Sequence, residues 1–159
     1  MKDRVSSAQY EVILAGSGGQ GLVSLGNMLG EAAILEDKNV IQTASYGGSQ
    51  RGGSSVAEVI ISDGEILFQR VQNPDIVMAL TDNSMNLYLP LAEGGVPIFY
   101  DTTLVREREG RNLYGYPFTA IANEMGRSDM ANVIGLGAMI TKSGAEPNPA
   151  CVAKLARFV

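Results

Sequence analysis

The chain has 159 residues, of which 45% are hydrophobic, and its formal net charge is −5. That length is typical of one domain with a sizeable core, and the acidic balance excludes the basic surface that nucleic-acid binding requires. With no histidine and a single cysteine, Cys151, the chain cannot by itself form a zinc site of the usual ligands, an iron–sulfur cluster or a histidine-dependent catalytic triad. We therefore predict one domain over residues 1–159, with no catalytic and no metal-binding residues.

The first predicted strand, 10–15, is followed by a glycine-rich turn and a helix. The strand is short, mostly apolar and β-branched in its middle, which is typical of a strand buried on both faces. From Leu22 to Ala32 apolar residues recur every three or four positions, which predicts an amphipathic helix. The turn between them fits G-x-G-x-x-G, a pattern that can hold a phosphate on backbone N–H groups. Its residues are our first binding candidates: Gly16, Ser17, Gly18, Gly19, Gln20 and Gly21.

Three interpretations of this turn remain open. A dinucleotide site also needs an acidic residue about 20 positions later, at the end of the next strand. The next predicted strand, 39–43, ends in Gln42 and Thr43, and the nearby Glu36 and Asp37 precede it. This mismatch disfavours NAD or FAD, and leaves another phosphate-bearing ligand or a purely structural turn between strand and helix.

A second unusual stretch, Ser45–Ser55, follows that strand. It contains four glycines and one charged residue, Arg51, and it lies at the carboxyl end of a strand, where ligands of open α/β sheets bind. An arginine between glycine pairs can present its guanidinium to a carboxylate, a phosphate or a partner chain; an ordinary surface salt bridge is the alternative. This stretch adds further candidates to the site: Ser45, Tyr46, Gln50, Arg51 and Gly52.

The rest of the chain alternates short apolar runs with helical patterns. Asp63-Gly64 between 56–61 and 65–68 predicts a hairpin. Further strands are predicted at 76–80, 96–100 and 112–118, and helices at 83–91, 119–125, 130–140 and 150–158. Pro97 favours an edge position or a late start for its strand, Pro90 is expected to end its helix, and Cys151 is expected to be a small buried side chain. The predicted fold class is α/β: a three-layer sandwich with a mixed, largely parallel sheet and one antiparallel hairpin.

The first residues of the chain and its hydropathy predict the cellular location of the protein. Residues 1–9 are polar and lack the apolar region of a signal peptide, and no apolar run reaches membrane-spanning length. We therefore expect a soluble, cytoplasmic protein without a membrane partner.

The last predicted helix stops without a C-cap signal, which suggests a trimmed tail.

Several motifs at this spacing resemble the gamma subunits of 2-oxoacid:ferredoxin oxidoreductases, over about residues 10–145. The resemblance is strongest to the 2-oxoglutarate (KorC-like) type, and the stretch from Gln50 to Ser54 is also similar to the indolepyruvate enzyme's small subunit. The motifs that carry the resemblance are the glycine turn, Ser45-Tyr46-Gly47, Gln50-Arg51-Gly52-Gly53, Ile60-Ile61-Ser62-Asp63 and Asn73-Pro74-Asp75-Ile76-Val77.

The resemblance implies a multisubunit enzyme that decarboxylates a 2-oxoacid with coenzyme A and reduces ferredoxin. It implies as partners an alpha and a beta subunit, which hold thiamine diphosphate, and a ferredoxin-like delta subunit, which holds iron–sulfur clusters; a homodimer could form through the complex. This chain alone would bind no cofactor, with coenzyme A at its surface and 16–21 and 45–53 at a ligand or subunit boundary. Pyruvate, branched-chain and indolepyruvate versions, a stand-alone nucleotide-binding Rossmann-like protein and a pure scaffold remain alternatives.

Overall fold

The structure, a computed structural model, describes residues 9–47 and 53–142. The strands in this part of the chain are β1 (Gln9–Ser17), β2 (Asn39–Tyr46), β3 (Ser54–Ser62), β4 (Ile76–Ala79), β5 (Ile98–Asp101) and β6 (Leu113–Tyr116). The α-helices are α1 (Leu22–Leu35), α2 (Asp82–Glu93), α3 (Phe118–Glu124) and α4 (Ala131–Lys142). None of the described helices combines the length and the apolar character needed to cross a bilayer.

The strands form one mixed sheet in the order β2-β3-β1-β4-β5-β6. Strands β1, β4, β5 and β6 are parallel, whereas β3 runs antiparallel to both of its neighbours, β1 and β2. Strand β2 therefore runs in the same direction as β1, and the carboxyl ends of all strands except β3 lie along one edge. This confirms the α/β class with a largely parallel sheet and an antiparallel hairpin.

Helices cover the sheet on two faces and make it the middle of three layers. Alternate residues of β1 point to opposite sides: Leu14 joins a core cluster with Leu25 of α1 and Leu136 of α4, whereas Ile13 joins a second cluster with Met85 of α2. Because both faces of β1 are buried, the strand has the unbroken apolar run that its sequence shows.

The predicted hairpin around Asp63-Gly64 is wrong in its second strand, because 65–68 has no strand structure. The local turn is real: the N–H of Gly64 donates to Ser62 Oγ at 3.1 Å. However, both edges of β3 are already paired, with β1 on one side and β2 on the other. A strand returning after the turn would find no free edge on β3, so the hairpin of this fold is β2 with β3.

Two proline predictions are partly corrected. Pro97 precedes β5, which starts at Ile98 and lies between β4 and β6, so the late start is confirmed and the edge position is wrong. The prediction that Pro90 ends its helix is wrong, because Pro90 lies inside α2, which continues to Glu93. The helix predicted over 130–140 is preceded by one 3-10 turn, at Ser128–Met130. The helix predicted over 150–158, with Cys151, lies outside the described residues.

Candidate functional site

The glycine turn is held in shape by the side chain of Gln20. Its Oε1 atom accepts a hydrogen bond from the N–H of Ser17 at 2.8 Å, and its Nε2 atom donates to the carbonyl of Leu80 at 3.1 Å. A Cβ atom on the buried Gly16 would lie 2.1 Å from Gln20 Oε1. Gly16 therefore leaves the space in which Gln20 links the end of β1 to the end of β4.

The start of α1 carries unpaired backbone donors. Gly21, with φ of 72°, is the N-cap residue and offers no side-chain cap, and the first turn of the helix has no acidic residue. Within the described part of the chain, the N–H groups of Gly19, Gly21 and Leu22 have no hydrogen-bond acceptor. Free N–H groups and the positive end of the helix dipole favour an anion at this position.

A side chain from α4 fixes the same turn from the other side. Asn132 Nδ2 donates to the carbonyl oxygens of Gln20 and Gly21, at 3.2 and 3.3 Å. A Cβ atom on Gly21 would lie 2.6 Å from that nitrogen, so glycine is needed there for space as well as for its positive φ. In the sequence Asn132 is a polar residue in a nearly apolar helix, and its role becomes visible only in the fold.

The second glycine-rich stretch lies beside the first. The N–H of Gly18 donates to the carbonyl of Gly53 at 3.1 Å, and Ser55 of β3 pairs with Gly16 on one side and with Tyr46 on the other. The structure thus brings 16–21 and both ends of the Ser45–Ser55 stretch together, and Tyr46 is 69% exposed there. Gln50, Arg51 and Gly52 lie outside the described residues.

The strand order removes the geometric basis for a dinucleotide site. In the Rossmann arrangement the second strand lies directly beside the first, so that an acid at its end reaches the ribose. Here β3 separates β1 from β2, and β2 ends at Tyr46 without a carboxylate. The interpretation of the turn as an NAD or FAD site is therefore not supported.

A cavity of about 180 Å³ opens beside the turn, where the connections after β1 and β4 leave toward opposite faces of the sheet. Open α/β sheets bind ligands at such a switch point. Its lining contains groups from the ends of β1, β4 and β5 and from the start of α4: Gly19, Gln20, Leu80, Asp101, Leu104, Thr119, Ser128, Asp129, Ala131 and Asn132.

Asp101 is the most buried charged group of this cavity, with 1% of its surface exposed. Its Oδ2 atom accepts from the N–H and the hydroxyl of Thr119, at 3.1 and 2.5 Å, and its Oδ1 atom accepts from the N–H of Thr103 at 3.0 Å. These bonds join the end of β5 to the start of α3. In the sequence Asp101 is an acidic residue directly after a predicted strand, and no local pattern there indicates these bonds.

The ionisable side chains that line the cavity are acidic. The Arg127 guanidinium, hydrogen-bonded to the Asp129 carboxylate at 3.0 Å, lowers the pKa of Asp129, so this group is ionised at neutral pH. Asp129 and Asp101 both line the cavity and no lysine or arginine does, which disfavours a phosphate inside it. An anion is better placed outside the cavity, at the exposed backbone of Gly18 and Gly19.

No cluster suited to holding a metal ion occurs among the described residues.

The chain is similar to known proteins over most of its length. The family model of pyruvate ferredoxin/flavodoxin oxidoreductase matches residues 11–156. 2-Oxoglutarate synthase subunit KorC of Archaeoglobus fulgidus is 40% identical over 140 residues, which are 87% of this chain and 73% of that protein. The gamma subunit of a keto/oxoacid ferredoxin oxidoreductase from Geobacter sulfurreducens PCA superposes with a TM-score of 0.77 at 33% identity, covering 94% of this chain and 86% of that one.

A third relative carries the same region within a much longer chain. Ketoisovalerate oxidoreductase subunit VorA of Methanothermobacter thermautotrophicus is 35% identical over 134 residues, which are 83% of this chain and 28% of that protein. The family match includes both glycine-rich stretches and every residue of the cavity. The chain thus belongs to the pyruvate ferredoxin/flavodoxin oxidoreductase family, in which it is a gamma subunit of a 2-oxoacid:ferredoxin oxidoreductase.

Proposed function

We propose that this gamma subunit serves a 2-oxoglutarate enzyme, which converts the 2-oxoacid, coenzyme A and oxidised ferredoxin into acyl-CoA, carbon dioxide and reduced ferredoxin. In this proposal it docks against alpha and beta subunits that hold thiamine diphosphate and a ferredoxin-like delta subunit with iron–sulfur clusters. It also holds a phosphate of coenzyme A at the glycine turn. The KorC relative supports the substrate, and the ketoisovalerate relative makes a branched-chain 2-oxoacid the second candidate.

The observation that carries the coenzyme A proposal is the set of free donors at the start of α1. The N–H groups of Gly19, Gly21 and Leu22 have no acceptor in the described part of the chain. Gln20 and Asn132 hold the turn in place through hydrogen bonds within the chain, so binding an anion would require little reordering. The second glycine-rich stretch, which carries Arg51, begins and ends at the same corner.

The side chains around the turn support a binding role rather than a catalytic one. Gln20 makes two hydrogen bonds, Asp101 accepts three, and Asp129 is paired with Arg127. A general base or nucleophile would have to leave these partners before it could react. In the proposed enzyme the chemistry is therefore done on the companion subunits, while this subunit positions coenzyme A.

Gly18→Ala tests the phosphate site in the assembled enzyme. Among the described residues, a Cβ atom at Gly18 meets no atom within 4 Å, so this part of the fold tolerates it, but the methyl group obstructs the close approach of a phosphate to the backbone. We expect the apparent KM for coenzyme A to rise about tenfold with kcat little changed, as expected when about 1.4 kcal/mol of binding free energy is lost. Steady-state kinetics of the complex at varied coenzyme A concentration measure this.

Gly137→Ala is the matched control. Gly137 lies exposed in α4, and in the part of the chain that the structure describes a Cβ atom there also meets nothing within 4 Å. It should leave the KM for coenzyme A unchanged. An unchanged KM for Gly18→Ala as well would refute the phosphate site. Weaker assembly with an unchanged KM would instead favour the scaffold alternative, in which both stretches contact only protein.

A further inference from the structure

The cavity beside the glycine turn has room for one ring system of a ligand rather than for a whole ligand. Its volume is about 180 Å³, whereas pockets that enclose a whole drug-sized molecule measure about 300–1,000 Å³. A single purine base fits such a space, but a base together with its sugar and phosphates does not. The rest of a nucleotide would therefore lie outside the cavity, at the surface.

The walls of the cavity offer apolar groups for the faces of a ring. Leu80 follows β4, Leu104 follows β5 and Ala131 begins α4, and all three side chains line the cavity. Leu80 is buried, and its carbonyl is held by the Gln20 side chain. Proteins that enclose a free base use apolar or aromatic side chains against its faces and hydrogen-bonding groups against its edge. The apolar part of this arrangement is present here.

The polar groups of the wall require a donor on the edge of the ring. The carboxylate of Asp129, ionised because Arg127 lowers its pKa, can only accept hydrogen bonds. Asp101 already accepts three bonds from within the chain, so Asp129 is the more available acceptor. The adjacent Ser128 hydroxyl also lines the cavity and can donate. An N–H donor beside a ring nitrogen matches this pair, and adenine has that edge in its exocyclic amine and the neighbouring nitrogen.

Gly19 belongs both to the cavity and to the position favoured for an anion. It lines the cavity, and within the described part of the chain its N–H group has no acceptor. A base inside the cavity and a phosphate on the exposed backbone of the turn would therefore be neighbours. In a nucleotide a ribose joins these two groups, so one ligand can occupy both places.

We propose that the cavity holds the adenine base of coenzyme A, with its exocyclic amine donating to Asp129; this rests on the proposed function above. The phosphate-bearing ribose stays outside, because the carboxylates of Asp101 and Asp129 repel a phosphate. The proposal sets the direction of the ligand. The adenine end is buried in the gamma subunit, and the pantetheine arm with its thiol leads away from it, toward the companion subunits.

The test compares coenzyme A with its analogue in which hypoxanthine replaces adenine, using the assembled enzyme. The analogue has a carbonyl oxygen in place of the amine, and this oxygen would face the carboxylate of Asp129. We expect the apparent KM of the wild-type complex to be about tenfold higher for the analogue, with kcat little changed. In Asp129→Asn the two KM values should approach each other, because an amide can accept from an amine or donate to a carbonyl.

Arg127→Gln is the matched control. It breaks the same ion pair as Asp129→Asn, which joins the two side chains at 3.0 Å, but Arg127 does not line the cavity. The preference for adenine should stay within about twofold of the wild-type value in this variant, since the carboxylate is kept. Equal loss of the preference in both variants would assign it to the ion pair and overturn the base site.

The outcomes separate the base site from the phosphate site. If the wild-type complex does not distinguish the analogue, or if Asp129→Asn keeps the full preference, the base site is refuted, even where Gly18→Ala raises the KM for coenzyme A and so supports the phosphate site. If the preference depends on Asp129 while Gly18→Ala has no effect, the base site stands and the position of the phosphate is wrong. If neither substitution alters the kinetics with either compound, both sites are refuted.

Discussion

Gly16→Ala is expected to lower the free energy of unfolding by about 3 kcal/mol. The new Cβ atom would lie 2.1 Å from Gln20 Oε1 and 3.2 Å from Leu80 Cβ. The Gln20 side chain can rotate away, but it then loses its bonds to Ser17 N–H and the Leu80 carbonyl, at about 1 kcal/mol each. Crowding against Leu80 adds about 1 kcal/mol or more. Urea denaturation of the isolated subunit measures the change.

A double-mutant cycle with Gln20→Ala separates these contributions. If the Gln20 hydrogen bonds account for most of the loss, Gly16→Ala should lower the free energy of unfolding much less in the Gln20→Ala variant than in the wild-type chain. The coupling should be about 1–2 kcal/mol. Gly18→Ala, two positions along, adds a Cβ atom that meets none of the described residues within 4 Å, so it should change stability by less than about 0.5 kcal/mol. Additive effects of the two substitutions would show that Gly16 serves something other than the space for Gln20.

Local sequence patterns were sufficient to predict the strands and helices that pack in the core. The strand at 10–15 was predicted correctly because burial on both faces gives a continuous apolar run. The helix after Leu22 was predicted correctly because burial on one face gives apolar residues at every third or fourth position. The hairpin at Asp63-Gly64 was predicted wrongly because a turn signal is local, whereas pairing depends on which edges are free. β3 lies between β1 and β2, and no short-range pattern in the sequence encodes that order.

In the candidate site, too, local motifs were predicted from the sequence and long-range contacts were not. Gly16 and Gly21 were found because glycines at fixed offsets form a recognisable motif. Gln20 was a candidate as part of that motif, but its role in holding the turn was not predicted, because it bonds a residue 60 positions away. Asn132 was not a candidate, and it bonds a residue 112 positions away. A polar residue in an apolar helix was the only sequence signal for Asn132. The role predicted for Arg51 stays a prediction, since that residue lies outside the described part of the chain.

Asp101→Ala should destabilise the subunit as strongly as Gly16→Ala, for an electrostatic rather than a steric reason. The carboxylate is 1% exposed, and its removal leaves the N–H and hydroxyl of Thr119 and the N–H of Thr103 without their acceptor. Leaving buried donors unpaired costs about 1–3 kcal/mol each when no water can replace the acceptor. Since the adjoining cavity admits water to part of this network, we expect a total loss of about 3 kcal/mol.

Two further variants distinguish a lost acceptor from a lost charge. Asp101→Asn keeps one carbonyl oxygen but turns an amide group toward donors, so it should be intermediate. Asp129→Ala removes the other carboxylate of the cavity, but that group is exposed and paired with Arg127 at the surface, where ion pairs contribute little; it should change the urea midpoint far less. If Asp101→Ala were no more destabilising than Asp129→Ala, the bonds to Thr119 and Thr103 could not be what joins β5 to α3. The start of α3 would then be held against the sheet by the apolar packing of Phe118 in the core.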